Sequence, residues 1–361
     1  MADRENPLTE DGNVFEDEDR TLALIQSVVA KIMEHVLSLD DITNDKKKNA
    51  MFQAVLNLLD QLGIAIMEVF PQEIATAYTA GHNTGASFLR DAGMDTAQIT
   101  GNLKDRVHAQ AVQEIATQGY DDLQAALRTA GELFIAGIGA TLTEIQDKIA
   151  EGILLGQTTK TITAAVQQKF LEQGLTSFIT RDGKRLPLDF YAMTVTRTKV
   201  RDAHTQGAVK RYEENGVDLV RFPTRSHTCK ICGERERLVV SISGKTEGYP
   251  TVEEIGGLPP WHPNCRHYPM PVIDASDYPP VPFTGRDMRS AESKEVYKNE
   301  QAIRVKANNE KKLYLKMKAE AEARGESFPS IGVWRRKKRK NDEEWKTLQK
   351  NYRDSIKNIP S

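Results

Sequence analysis

Apolar residues along the first 150 positions recur with the period of a helix, not of a strand. Leu22, Ile25, Val29, Ile32, Val36 and Leu37 fall on one helical face, and a second helix capped by Asp45 carries Met51, Val55, Leu58, Leu59 and Leu62. The two read as an antiparallel pair. Ile64 to Gly85 reads as helix on both sides of Pro71, which suits a first helical turn, with Gly81 and Gly85 marking its end. From Asp95, a capping residue, to about Ala150 the chain is rich in Ala, Gln, Ile and Leu without proline, which predicts further long helices. Gly131, Gly137 and Gly139 allow close packing or a break there. They lack the preceding strand and the Lys of a phosphate loop.

After Gly156 the pattern shortens. Thr158 or Thr159 can cap a helix containing Ile162, Val166 and Phe170, which Gly174 stops. Two β-prone runs flank Asp182-Gly183, a dipeptide favoured in tight hairpin turns. A helix from Tyr191 to Tyr212 ends at Asn215-Gly216, and the alternating run Val217 to Phe222 reads as a strand. Beyond Ile273 comes a proline-rich linker. Met288 to Ala323 is a charged helix with a thin stripe of Ile303, Ala307, Tyr314 and Met317. A last helix, capped by Asn341 or Asp342, places Trp345, Leu348, Tyr352 and Ile356 on one face that calls for a docking surface. The expected architecture is α+β and mainly α: an acidic flexible tail (1–19), a helical domain (20–155), a small α+β module (156–273), a linker (274–287) and a basic helical tail (288–361).

Charge sharpens this division. The chain carries a net charge of -2, yet residues 286–361 hold 21 Lys and Arg against 12 Asp and Glu, so the rest is acidic. No apolar run approaches the ~20 residues that cross a bilayer, and the acidic start lacks the order of a signal peptide. No membrane partner is expected.

The three cysteines lie within the segment Cys229 to Cys265, an odd number that argues against a disulfide framework. Cys229 and Cys232 form a C-x2-C half-site, and His262 and Cys265 form an H-x2-C half-site beyond a 29-residue gap. A two-residue gap lets one tight turn present both side chains to one ion, and four such ligands suit structural Zn2+ with a closed coordination sphere. His227 and His267 are alternative ligands. Arg197, Arg201 and His204 share a helical face that can hold an anion or pair with Asp202 and Glu213. The run Arg335, Arg336, Lys337, Lys338, Arg339 and Lys340, with the face of Trp345, Leu348 and Tyr352 behind it, can meet DNA phosphates or an acidic protein. An enzymatic alternative also exists, because His262, Asn264 and His267 beside a C-x2-C resemble the layout of HNH-type zinc nucleases.

The order GLTSFITRDGKRLPLDFYAMTVTRT, a helix, a strand, CKIC and PPWHPNCRHYPMPV resembles the minor capsid or head morphogenesis proteins of tailed bacteriophages. The resemblance is to the minor capsid protein 2 family, related to the phage Mu F-like proteins, over Ile149 to Ile273 and more loosely upstream. Its most specific parts are Arg197-Thr198 and the C-x2-C with PP-x-HPNCR; members commonly end in C-R-C, where this chain has Cys265-Arg266-His267. The resemblance implies a non-enzymatic, low-copy head protein added near the portal, with portal, major capsid or scaffolding proteins as partners. It implies a role beside DNA in packaging or ejection, and a virion location after assembly in the host cytoplasm. An ADP-ribosyltransferase-like activity with Arg197 in the cleft is the other enzymatic alternative, although no Ser-Thr-Ser strand or Glu-x-Glu pair is placed to complete it.

Overall fold

The computed structural model describes residues 19–38, 45–154, 177–179, 185–225, 228–263, 265–323 and 326–357. The acidic tail before Asp19, the expected helix after Thr158, the Asp182-Gly183 turn, His227 and Asn264 lie outside the described residues. Helix α1 spans Asp19–Leu37, α2 Asp45–Asp91 and α3 Arg106–Leu154. A short hairpin pairs β1 (Ser177–Ile179) with β2 (Arg185–Pro187), and α4 follows at Leu188–Glu214. Next come β3 (Leu219–Arg221), the single turn α5 (Lys230–Gly233), β4 (Val239–Ser241) and β5 (Met270–Val272). The three strands form an antiparallel sheet in the order β4-β3-β5, with Val220 opposite Val240 on one side and Pro271 on the other. Helices α6 (Ala291–Ala323), α7 (Ile331–Lys340) and α8 (Glu343–Lys357) close the chain. The architecture is α+β and mainly α.

The described residues group into two compact units. One draws on α1 up to Val29, Leu58–Arg128 and Leu188–Tyr297, and the other on Ala30–Asn57, Thr129–Pro187 and Lys298–Ser361.

In the first unit, α2 buries Leu62, Ile66, Phe70, Ile74 and Tyr78, one residue per turn. Glu73, on the same helix and only 4% exposed, receives the backbone N–H and hydroxyl of Thr21 at 3.0 and 2.7 Å. That bond satisfies a free amide in the first turn of α1. Glycines expected to stop α2 at Gly85 instead lie inside it, because they are needed elsewhere. A Cβ at Gly81 would collide with the backbone carbonyl of His204, and one at Gly207 with that of Tyr78. Gly85 likewise faces the backbone of Ala208. Helices α2 and α4 therefore cross backbone against backbone, and the contact outweighs the ~1 kcal/mol that a helical glycine costs.

The same crossing buries His204 (5% exposed), whose Nε2 lies 3.4 Å from the Thr84 hydroxyl. Burial alone pushes its pKa down to about 4. The far ends of both helices pack on the sheet through Phe88, Leu89, Val209 and Tyr212 against Val220, Phe222, Val240 and Tyr268. Segment Asn49–Asp91 of α2 is long and apolar enough to cross a bilayer, a run the sequence pattern did not suggest. Within it 33% of the most apolar stretch is buried, and Glu73 and His82 are both in polar contacts.

In the second unit, Met317, Trp334 and Trp345 form a closed cluster with Leu313, Tyr314, Phe328, Leu348 and Tyr352. Trp334 is fully buried, and its ring meets that of Trp345 edge to face at 5.3 Å. Asn341 adopts φ 51° as the left-handed cap of α7, while the Asp342 carboxylate accepts the Trp345 N–H at 2.8 Å to cap α8. The face of α8 expected to need an external docking surface is thus covered within the chain.

Gly81→Ala or Gly207→Ala should destabilise the protein by about 3 kcal/mol or more, because backbone atoms cannot retreat as a side chain can. Gly332→Ala, in the first turn of α7 with open space around it, should be neutral or stabilise by about 0.5 kcal/mol. Thermal unfolding of the three variants checks this. His204 should also make the fold acid-labile. Below about pH 6.5 the unfolded chain takes a proton that the folded chain refuses until about pH 4, so stability falls through that window by at most about 3 kcal/mol. Urea titrations at both ends of the window should show that loss in the wild type and a smaller one in His204→Gln.

Candidate metal centre

Four sequence-predicted ligands meet beside the sheet. Cys229 precedes α5 as its N-cap, and the bond from the Gly233 N–H to the Cys229 carbonyl (2.9 Å) closes a turn that brings Cys232 to the same side. A second turn, closed by the Cys265 N–H on the His262 carbonyl (3.0 Å), presents the other pair. His262 Nε2 lies 3.2 Å from Cys229 Sγ and 3.1 Å from Cys232 Sγ, and Cys232 Sγ lies 3.6 Å from Cys265 Sγ. Cys232 and Cys265 are each 2% exposed.

Two overlapping groups result: Cys229, Cys232 and His262, and then Cys232, Cys265 and His267. Cys232 is their shared member. The tautomer of His262 is set by its surroundings, since Nδ1 lies 2.7 Å from the Pro263 carbonyl and a carbonyl can only accept. The lone pair of Nε2 is then left facing the thiols.

His267 is 8% exposed and differently held. Its Nε2 lies 3.0 Å from Glu236 Oε1, and its Nδ1 lies 3.9 Å from Cys265 Sγ. Glu236 in turn accepts from the Arg225 backbone N–H at 2.9 Å and from the Thr228 hydroxyl. Burial works against the charged imidazole of His267, but Cys265 and Glu236 outweigh it and raise its pKa. The hydrogen bond from Cys232 holds the Cys265 thiol well below its usual range against its burial, with His267 assisting. Cys232 is pushed up by the same bond and by burial. One sulfur of the pair is thus favoured as the thiolate, the form in which cysteine binds a metal.

The centre is tied to the rest of its unit at four points. Arg201 of α4 donates to the Cys265 carbonyl at 2.9 Å, and the Tyr212 hydroxyl donates to the Pro269 carbonyl at 3.1 Å. Beyond the linker, the Met288 N–H bonds the Gly233 carbonyl (3.0 Å), and Arg289, paired with Asp287 at 2.8 Å, reaches the Thr228 carbonyl at 2.7 Å.

The other residues singled out by sequence are dispersed in use. Arg201 serves the second knuckle, and His204 is buried and uncharged at neutral pH, so it adds no cation to the face it shares with the half-buried Arg197. Within the basic run, Lys338 and Arg335 approach Glu310 at 2.8 and 3.6 Å, and Lys337 pairs with Glu344. Arg336, Arg339 and Lys340 are exposed and fall on one face of α7. Trp345, Leu348 and Tyr352 belong to the internal cluster. Glu236, the residue that holds His267, was not legible in advance, since nothing in the spacing of Glu234-Arg235-Glu236 marks one carboxylate over the other.

The sequence profile of the phage minor capsid protein 2 family matches residues 45–326, from the first residue of α2 to just beyond α6. The match takes in α2, α3, α4, the sheet and both knuckles, and leaves α1, α7 and α8 outside. No curated protein and no solved structure gives a significant match. Because the profile covers well over half of the chain, the protein belongs to the phage minor capsid protein 2 family, structural components of the bacteriophage virion.

Proposed function

We propose that the chain acts as a minor component of the phage head, assembled near the portal, in which Cys229, Cys232, His262 and Cys265 hold one structural zinc ion. The observation that carries this reading is the convergence of two separate turns on Cys232 and His262. Separations of 3.1–3.6 Å between donor atoms approach the edges of a tetrahedron around zinc, about 3.5 Å for S···N and about 3.8 Å for S···S. His262 has both nitrogens in use, at the thiols and at the Pro263 carbonyl, and so is not placed as the base of a nuclease. His267 backs Cys265 from the buried side, where Glu236 holds it, as an outer support of the ligand.

The ion's role in this reading is placement. Arg201, Tyr212 and Arg289 attach α4 and the end of the linker to the knuckles, so the staple sets where the chain leaves its first unit. The basic helix α7 then offers Arg336, Arg339 and Lys340 to packaged DNA, with portal, capsid or scaffolding proteins as the neighbouring partners.

Metal analysis should show zinc lost in proportion of one ion per chain in Cys232→Ser and Cys265→Ser, together with loss of folded signal from the module. His267→Gln should retain that ion. Stable folding of a zinc-free wild type sinks the structural role. Replacing Arg336, Arg339 and Lys340 together by Ala should flatten the dependence of log K for DNA on log salt by about 3, at about 0.9 per phosphate contact. An unchanged slope together with failed incorporation into particles would assign the face to a protein partner instead.

A further inference from the structure

A second group of ligating side chains meets inside the helical body, away from the cysteines: His82 of α2, His108 of α3 and Glu214 at the end of α4. One carboxylate stands between two imidazoles, with His82 Nε2 2.8 Å from Oε2 and His108 Nε2 2.7 Å from Oε1. The histidine side chains are 1% and 3% exposed, and that of Glu214 is 18% exposed. For His108 the short approach is not an aligned hydrogen bond: its Nε2 is buried without a hydrogen-bond partner despite the nearby oxygen. A proton on that nitrogen does not bridge the gap. A cation seated between the groups satisfies both without demanding a linear N–H···O.

The surroundings suit such an ion. The second nitrogen of His108 is engaged by the Tyr78 hydroxyl at 3.0 Å, the kind of outer bond that orients a metal-bound histidine. Burial, with Glu214 and Glu213 adding to it, pushes the Tyr78 phenol up to about 12, so it stays protonated. Arg211 spends its hydrogen bonds on the carbonyls of His82 and Thr100, at 3.2 and 2.8 Å, and stays 4.0 Å from Glu214 Oε2. A Cβ at Gly101 would meet the Arg211 guanidinium and the Glu214 carboxylate, so the loop lies close over the carboxylate.

We propose that His82, His108 and Glu214 form a second metal site, which takes a divalent first-row transition ion, zinc foremost, through two imidazole nitrogens and one carboxylate. Two nitrogens and one oxygen suit zinc and its neighbours better than magnesium or calcium, which take oxygen ligands. Tetrahedral coordination sets nitrogen and oxygen about 3.3 Å apart, so loading draws the three groups outward by about 0.5 Å. The ligands come from three helices, and the ion therefore pins α2, α3 and α4 together at one end. The site stands independently of the cysteine centre.

Zinc content and X-ray absorption of the purified full-length protein test this. His108→Gln and Glu214→Gln should each hold one zinc fewer per chain than the wild type while circular dichroism stays unchanged. A zinc content equal to that of the wild type in both folded variants overturns the proposal. If neither variant folds, the absorption edge of the unaltered chain decides: a zinc population with only nitrogen and oxygen neighbours supports the second site, and zinc bound entirely beside sulfur refutes it. Because Cys265→Ser removes only sulfur-bound zinc, loss of the cysteine reading and loss of this one give different spectra.

Discussion

The structure of the first unit depends on one close contact, the backbone crossing of α2 and α4 at Gly81, Gly85 and Gly207. Interaxial distance in helix pairs is set by the side chains at the contact, and the glycines let backbone approach backbone here. Everything attached to α4 inherits that placement. Arg201 reaches the Cys265 carbonyl, Tyr212 reaches the Pro269 carbonyl, and Glu214 arrives between His82 and His108. A wider crossing would shift all three by the thickness of a side chain.

Around this contact the unit pairs several of its buried and half-buried polar groups. Glu73 caps α1, Asp218 accepts from Ser241, Ser243 and Thr246, and Glu236 holds His267. For Asp218, burial alone would raise the pKa, but those hydrogen bonds hold it well below the usual carboxylate range. Such satisfied groups favour one arrangement of the chain over near alternatives, because any slip leaves a donor or a charge without its partner. A virion protein that must present the same surface in every particle gains from that uniqueness.

The helices, the central strand and the two Cys-His half-sites were legible because each is written in local spacing. Periods of 3.6 and 2 survive in a single chain, and a two-residue gap between ligands needs only one turn. The glycines of α2 were misread for the same reason. A local rule takes glycine as a stop, whereas here its lack of a side chain serves a partner more than 100 positions away. The apolar face of α8 called for cover, but only the fold could show that Trp334 and Met317 provide it.

By itself, then, the sequence determined the mainly helical class, the position of the cysteine knuckles, a cap at Asn341 or Asp342 and the charge gradient that makes the end of the chain basic. Tertiary structure decided which of these features are spent internally. It pairs Lys337 and Lys338 while leaving Arg336, Arg339 and Lys340 exposed, gives His262 and His267 different partners, and gathers His82, His108 and Glu214 from three helices. The physical reason is range. Propensity, capping and ligand spacing act over a few residues, whereas burial and charge pairing act through space between segments whose separation along the chain carries no periodic signal.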